Sequence, residues 1–437
     1  MRVRGGATGS PPSPRLRRTR RSSAFSPGEP RQGGRRNPGV ARGRGCWRAV
    51  RAVARAFRPA KVRPAWTRYI GVFLVCLGAT RAPQAQDAGQ LTPDGWRQAE
   101  IGYTLQFPRD HGSHPDYRIE WWYYTGNLSS DDGRRFGYQV TFFRIGVDPA
   151  PENPSRWAVR DLFIAHLAVT DIGAGRQLMA ERLERGGVGW AGASAGTLDV
   201  WNGDWSASLD GTTHRLRAVD GAFGVDLRLE PGKGPTVHGE DGLSRKGAQA
   251  GNASYYYSMT RMPTTGHLVV DGETVAVTGA SWMDHEFGTT FLEASQVGWD
   301  WFSLQLDDGS ELMVFQLRGA DGEPDAHSAG TWVDAAGVTT PLGAGQFTLV
   351  PGRRWSSPSS DAVYPVQWRL ELPGRAARLE ISAAVDAQEL DTEASTGVTY
   401  WEGAVTVRGH VGEGAVSGRG YLEMTGYAGR PMSEMFR

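Results

Sequence analysis

Cysteine is all but missing. Cys46 and Cys76 are the only two in 437 residues, and both precede residue 86, after which an export signal would be cut. A mature chain without thiols excludes a cysteine nucleophile, a cysteine-based zinc site and structural disulfides together. Long hydrophobic runs are missing as well. The one apolar stretch of note, residues 69–79, is 11 residues long and too short to span a bilayer as a helix. No glycine-rich nucleotide loop, G-x-S-x-G elbow or H-E-x-x-H pair occurs, which removes the commonest phosphotransfer and hydrolase templates. Helical periodicity is scarce and confined to residues 156–166.

Acids are missing from the N-terminal end. Residues 1–68 hold 19 of the 48 Lys and Arg and a single acid, Glu29, so the remainder carries 29 bases against 46 acids. An acidic body of that kind argues against nucleic-acid binding through phosphate neutralisation. Residues 1–61, rich in Gly, Pro, Ser and Arg, cannot bury enough apolar surface to offset the entropy of ordering and read as disordered. They are either a basic arm or an upstream extension of the true start. Residues 62–86 follow the order of a secretory signal: Arg63 and Arg68, the apolar run, then small residues up to Ala85. The expected location is therefore the periplasm or the exterior. A lipid anchor on Cys76 is the lesser alternative, because the bulky Val75 precedes it.

What is present from about residue 100 onward is short alternation of apolar and polar residues broken by Gly, Asp-Gly and Pro. Segments such as "RRFGYQVTFFRIG" and "GHLVVDGETVAVTG" read as hairpin strands. The chain also repeats itself. "EWWYYTGNLSSDDG" matches "GWDWFSLQLDDG", setting Trp121 against Trp299, and "VTGASWMD" matches "VSGRGYLE", setting Asp284 against Glu423. "YSMTRMPTTGH" matches "YWEGAVTVRGH" without a gap. Two units follow, at residues 87–290 and 291–437, each the size of a barrel that can enclose one small ligand. The fold class expected is all-β, with two tandem antiparallel β-barrel domains.

The densest chemistry lies in "HGSHPDYRIEWWYYTGNL", residues 111–128. As a strand it would place Tyr117, Ile119, Trp121, Tyr123 and Thr125 on one face and Arg118, Glu120, Trp122 and Tyr124 on the other. Both faces are aromatic, so one can pack on a core while the other lines a cavity or meets the second unit. His111 and His114 could bind a metal with a third ligand from Asp110, Asp116 or His285; solvated loop histidines are the commoner case, and no metal is expected. In "SWMDHEFG", residues 281–288, Trp282 and Asp284 share a face. An aspartate beside Trp in a dry cavity has its pKa raised, as a general acid near neutral pH requires; the competing account is a carboxylate bonded to a turn. Asp300 raises the same question among Phe302, Leu304 and Leu306, with a polar bridge between the units as the alternative. The ring of Tyr257 in "YYY" either fills a core or extends a pocket wall.

Those segments, with "FPRDHGSHPDYRIEWWYYTGNL", "YYYSMTRM", "GASWMDHEFG" and "GWDWFSLQL", resemble the AttH-like family of secreted proteins, which is related to the carotenoid 1,2-hydratases (hydroxyneurosporene synthases). The similarity covers about residues 90–437. It implies two lipocalin-like barrels, a hydrophobic isoprenoid or lipid-like ligand, no cofactor, and acid-catalysed hydration or isomerisation of a C=C bond. By motif position Asp284 matches the hydratase aspartate and Trp282 stands where a Tyr would; the expected His-x-Trp pair has no histidine near residues 255–261. Candidate catalytic residues are Asp284, assisted by His285 or Glu286. Candidate ligand-binding residues are Glu120, Trp121, Trp122, Tyr123, Tyr257, Trp282, Trp299, Asp300 and Trp301. The resemblance equally implies a non-catalytic carrier of a lipophilic cargo, in association with the permease of an ABC-type export system.

Overall fold

The computed structural model describes residues 89–290 and 292–430. The basic segment at 1–61 and the export signal at 62–86 lie outside the described residues. Within them there is no α-helix, only three single 3-10 turns at Arg109–His111, Ala344–Gln346 and Pro373–Arg375. The helical period at residues 156–166 does not form a helix: a loop there runs into the strand Asp161–Asp171. From Phe163 to Asp171 that strand is buried at every position, and burial on both faces produces a continuous apolar run that periodicity alone cannot tell from a helix.

Nine strands suffice to place the site: β1 (Ile119–Ser129), β2 (Arg135–Gly146), β3 (Asp161–Asp171), β4 (Ala253–Val270), β5 (Glu273–Thr290), β6 (Gln296–Leu306), β7 (Glu311–Gly319), β8 (Val398–Val411) and β9 (Gly414–Met424). All the pairings are antiparallel. In a first, 13-stranded sheet β3, β2, β1, β5 and β4 are successive neighbours; in a second, 10-stranded sheet β7, β6, β9 and β8 are. The first sheet curls until its ends meet. Asn202 Nδ2 donates to the Phe163 carbonyl at 3.0 Å, and Arg182 donates to the Asn202 carbonyl at 3.1 Å. The result is two lipocalin-like antiparallel barrels in tandem, the first nearly closed. Each has its own apolar interior, one centred on Trp122, Tyr124, Phe142 and Leu227, the other on Phe302, Leu304, Trp368 and Trp401.

Registers in the two sheets correspond. Tyr123 lies opposite Asp284 across β1 and β5, and Trp301 lies opposite Glu423 across β6 and β9. Beyond them, Ser258 of β4 faces Asp284 and Glu402 of β8 faces Glu423. The gapless match of "YSMTRMPTTGH" to "YWEGAVTVRGH" holds only at the turn end, where Gly266 and Gly409 sit opposite Val277 and Val416. A bulge between Met259 and Met262 in β4 shifts the other end by one residue.

The barrels pack side by side through the outer faces of these strands, so β1 and β5 are buried twice over. Polar groups at the junction are matched across it. Gln305 Nε2 donates to the carbonyls of Thr260 at 2.8 Å and Ser281 at 3.0 Å. Asn127 donates to the Gly420 carbonyl at 3.0 Å. Glu311, fully buried, is held by Lys233 at 2.6 Å and by Arg261. Gly137 allows the closest approach: a Cβ there would lie 2.7 Å from Cβ of Ala404 on the second barrel. Neither atom is on a flexible arm, so the sheets must move. Gly137→Val should lower unfolding stability by about 1–3 kcal/mol, read by chemical denaturation, whereas Gly196→Val, at an exposed bend where an added Cβ meets nothing within 4 Å, serves as the control for the loss of glycine.

Candidate functional site

Strand alternation divides the aromatic segment into two chemistries. On the inner face of β1, Glu120, Trp122 and Tyr124 point into the first barrel. Glu120 is completely buried and is surrounded by donors: Ser113 Oγ at 2.8 Å, the His114 backbone N–H at 3.0 Å, His114 Nδ1 at 2.8 Å, His285 Nε2 at 3.0 Å and Arg144 Nε at 3.0 Å. Burial opposes ionisation, but these bonds from His114 and His285, with the Arg144 charge, outweigh it and hold the carboxyl well below the usual range. His114, Glu120 and His285 offer ligand atoms within 4.8 Å of one another. Both oxygens are already committed to N–H and O–H donors, and a metal ion would sit beside the Arg144 guanidinium. The set is arranged to satisfy a carboxylate rather than to coordinate a cation.

On the outer face lies the junction between the barrels, and there a cleft opens with roughly 830 Å³ of unfilled space, its mouth included. The enclosed cavity within it is much smaller, about 90 Å³. Rings from both barrels line it, among them Trp121, Tyr123 and Tyr256 from the first and Trp299, Trp301 and Phe315 from the second. Tyr123 meets Trp301 edge to face at 5.2 Å between centroids. Among these rings stand four carboxyl groups, Asp284, Glu286, Glu402 and Glu423, and one ammonium, Lys246.

Asp284 is 3% exposed. Its Oδ1 accepts from Trp282 Nε1 at 2.6 Å and from Ser258 Oγ, and its Oδ2 from the Tyr256 hydroxyl at 2.5 Å. Ser258 in turn takes a bond from His238 Nε2 at 2.6 Å, and Tyr256 takes one from Trp301 Nε1 at 3.0 Å. Burial is the dominant influence and exceeds what the three donors return, so the carboxyl is pushed up to about 7. Burial together with the Lys246 charge keeps His238 neutral, at about 3. Asp284 is thus a carboxylic acid that carries its proton near neutral pH. With two bonds on Oδ1 and one on Oδ2, Oδ2 has the valence for that proton.

Glu286, two residues on and on the same face, is held by Lys246 Nζ at 3.1 Å and by Ser254. Across the cleft Glu423 is pushed up to about 7, by burial first and then by the charges of Asp284 and Glu286, against a bond from Trp299. Glu402 is 1% exposed and neither of its oxygens makes a full hydrogen bond; burial first and then the Glu423 charge raise it well above the ordinary range, against the nearby hydroxyls of Tyr123 and Tyr400.

Of the residues singled out in the sequence, Trp121, Tyr123, Asp284, Glu286, Trp299 and Trp301 line the cleft, and Trp282 backs it as a donor to Asp284. His285, Glu120, Trp122 and Tyr257 do not. They occupy the opposite face of the same strands, inside the first barrel, where His285 stacks on Trp122 at 4.9 Å and Tyr257 bonds His111 at 2.7 Å. His285 therefore cannot assist Asp284. Asp300 also turns inward, to its own barrel, where Arg318 lies at 3.1 Å and Tyr427 at 3.0 Å; it bridges nothing between the units. Sequence reasoning missed Tyr256, Glu402 and Lys246 in the cleft, and His238 behind it as the partner of Ser258. The repeat did signal Glu423, through its match to Asp284.

A family model described as AttH-like matches residues 98–427. The crystal structure of a Nitrosomonas europaea protein provisionally assigned as AttH is 39% identical, with a TM-score of 0.68 over 75% of this chain and 98% of that one. Kievitone hydratase from Nectria haematococca shares the fold at a TM-score of 0.58 and 17% identity, over 77% and 98% of the two chains. The dehydratase asqC of Emericella nidulans is 24% identical over 185 residues, 40% of this chain. The chain spans about half the length of that relative, 51%.

The raised acid has a consequence for stability. Its folded value of about 7 lies above its ordinary 3.8, so between those values the folded state holds a proton that the unfolded chain has lost. Stability from this group is complete below about pH 4 and declines by roughly 1.4 kcal/mol per pH unit until pH passes about 7. Asp284→Asn cannot ionise. Compared with the parent, it should gain a few kcal/mol in denaturant unfolding between about pH 5 and about pH 8; parallel curves for the two proteins would rule the shift out.

Proposed function

The chain belongs to the AttH-like family, and from that premise we propose that its junction cleft binds an uncharged, unsaturated hydrophobic molecule of isoprenoid type and adds water to, or removes it from, a carbon–carbon bond. The observation that carries this reading is Asp284, a neutral carboxylic acid set in a wall of aromatic rings and facing a second pair of carboxyl groups. A passive carrier needs the rings. It has no use for an acid poised near pH 7 among them, since burying such a group costs stability at neutral pH.

In the hydration direction Asp284 Oδ2–H delivers its proton to the less substituted alkene carbon. The π electrons form the new C–H bond and leave a tertiary cation on the neighbouring carbon. Faces of Trp and Tyr stabilise that cation by about 0.5–2 kcal/mol each. Water then attacks it and gives up a proton to a carboxylate, and one water has been added overall. Dehydration runs the same steps backward. A general acid works best when its pKa lies near the working pH, and about 7 meets that condition. Ser258, Trp282 and Tyr256 fix the carboxyl in place. The hydratase and dehydratase among the similar proteins are named for these two directions of one reaction.

The test is a panel of isoprenoid alkenes and tertiary alcohols incubated with the protein in oxygen-labelled water, with product masses read by mass spectrometry. Label should enter the alcohol formed from an alkene, and an alcohol that is dehydrated should lose the mass of one water. Asp284→Asn should lower the rate by about 100-fold or more, and the parent's rate should fall as pH rises through about 7, because only the protonated acid can donate. Label entry at an undiminished rate in Asp284→Asn would remove it from the mechanism.

Charge gives a second test. Lys246, the one cation lining the cleft, is already paired with Glu286, so an anion would find no free positive partner among the lining residues. Retinol and retinoate share an isoprenoid polyene and differ in charge. Retinol should quench the cleft tryptophans with at least tenfold higher affinity, and equal affinity would contradict a neutral ligand.

A further inference from the structure

Hydration needs a group to take the proton from water, and Glu286 is a poor candidate. It shares the wall of Asp284, two residues away on one strand face, and its charge is engaged by Lys246 at 3.1 Å. We propose that the Glu402–Glu423 pair, supplied by the second barrel, is that group: it accepts the proton from water on the face of the substrate opposite Asp284. The assignment rests on the reading of the cleft as a hydratase site and adds its second catalytic element.

Three observations carry it. Glu402 and Glu423 are directly opposed across β8 and β9, which puts their Cβ atoms about 5 Å apart, and both line the cleft. Glu402, though 1% exposed, has neither oxygen in a completed hydrogen bond. The Tyr123 and Tyr400 hydroxyls lie beside it and act on it as weak donors, so its remaining acceptor capacity is open to a water or hydroxyl in the cleft. The position also differs from its counterpart in the first barrel in a telling way. There the residue across from the acid is Ser258, a donor to Asp284; here it is a second carboxyl.

Two carboxyl groups so placed cannot both ionise in a buried setting, so one proton is retained while the other site stays basic. The groups that face the pair are Asp284, Glu286 and Lys246 from the first barrel, the phenols of Tyr123, Tyr400 and Tyr421, and the indole of Trp299. Lys246 is the single cation, and it is bound to Glu286. Nothing therefore cancels the mutual repulsion of the pair. Behind Tyr400, His166 bonds its hydroxyl at 2.8 Å and leads to Ser395 at 3.0 Å, on the side away from the cleft. In the reaction the basic carboxylate removes a proton from water as oxygen bonds to the cationic carbon. The pair then holds two protons and returns one to bulk water, while Asp284 is reprotonated.

Geometry fixes the stereochemistry. Proton and hydroxyl arriving from opposite walls give anti addition, whereas a base at Glu286 would give syn addition. The experiment uses the full chain and has two readouts. The first needs no substrate: carboxyl bands in infrared difference spectra are titrated in the parent and in Glu402→Gln. Removing one member should move the Glu423 step at least one pH unit lower, and an unmoved step overturns the pair. The second takes compounds that turn over in the labelled-water panel. Glu402→Gln and Glu423→Gln should each lower kcat by about 100-fold with KM little changed, and product formed in heavy water should show anti addition. Undiminished kcat or syn addition overturns the proposal. If the panel yields no turnover, the proposal falls with the hydratase reading, and an intact infrared shift then locates the fault in that reading and not in the pairing.

Discussion

Everything at the junction depends on strands that are buried on both faces. A strand sends successive side chains to opposite sides, and in β1 and β5 neither side is water: one is the interior of the first barrel and the other is the contact with the second. A slip of one residue would exchange Asp284 for His285 and Tyr123 for Trp122. The register has to be held by something more specific than apolar burial, since both faces are apolar. Glu120 supplies it. Its carboxylate gathers His285 from β5, Arg144 from β2 and the loop bearing Ser113 and His114, and each of those bonds is available in one register only. Burying ions for that purpose is costly, and the arrangement tolerates it because every oxygen of Glu120 is satisfied.

Glu120 and Asp284 are almost equally buried, on adjacent paired strands, and end in opposite charge states. Each meets the same dielectric penalty. The difference lies in what surrounds them: Glu120 receives a guanidinium, two imidazoles, a hydroxyl and a backbone N–H, whereas Asp284 receives an indole, a phenol and a serine hydroxyl with no cation bonded to it. Carboxyl groups driven apart in this way mark a division between structural and chemical roles. The polarity of "HGSHPDYRIEWWYYTGNL" is thus mostly architectural, and its aromatic outer face is what the cleft uses.

Alternation and internal repetition made the larger part of this legible in the sequence. Alternation separated the face of Trp121 and Tyr123 from that of Trp122, and the repeat matched Glu423 to Asp284 as its counterpart in the second unit. Grouping by nearness in the chain failed where the period of two should have ruled: His285 adjoins Asp284 in sequence and points the other way. Glu402 escaped because the bulge at Met259 shifts the phase of β4 against β8, so a gapless match aligned it with Met259 instead of Ser258. His238 and Lys246 each follow a very short strand before β4, Thr236–Val237 and Leu243–Arg245, too short for a period to assign a face. Their place at the cleft depends on tertiary approach, as in the bond from His238 to Ser258.

The duplication also explains why the cleft belongs to neither barrel. Two similar units facing each other present the same strand positions from opposite sides, so each residue type on the outer face is offered to a ligand twice. Once the halves diverge, the two sides can do different work without either barrel being rebuilt. Asp284 has three donors around it that fix its orientation. Glu423 has a carboxyl neighbour in Glu402 where the first barrel has a serine, and neither oxygen of Glu402 makes a full hydrogen bond. The two walls of the cleft therefore differ in polarity, one carrying a carboxyl held by three donors and the other a carboxyl facing a second carboxyl, and each wall comes from a different barrel.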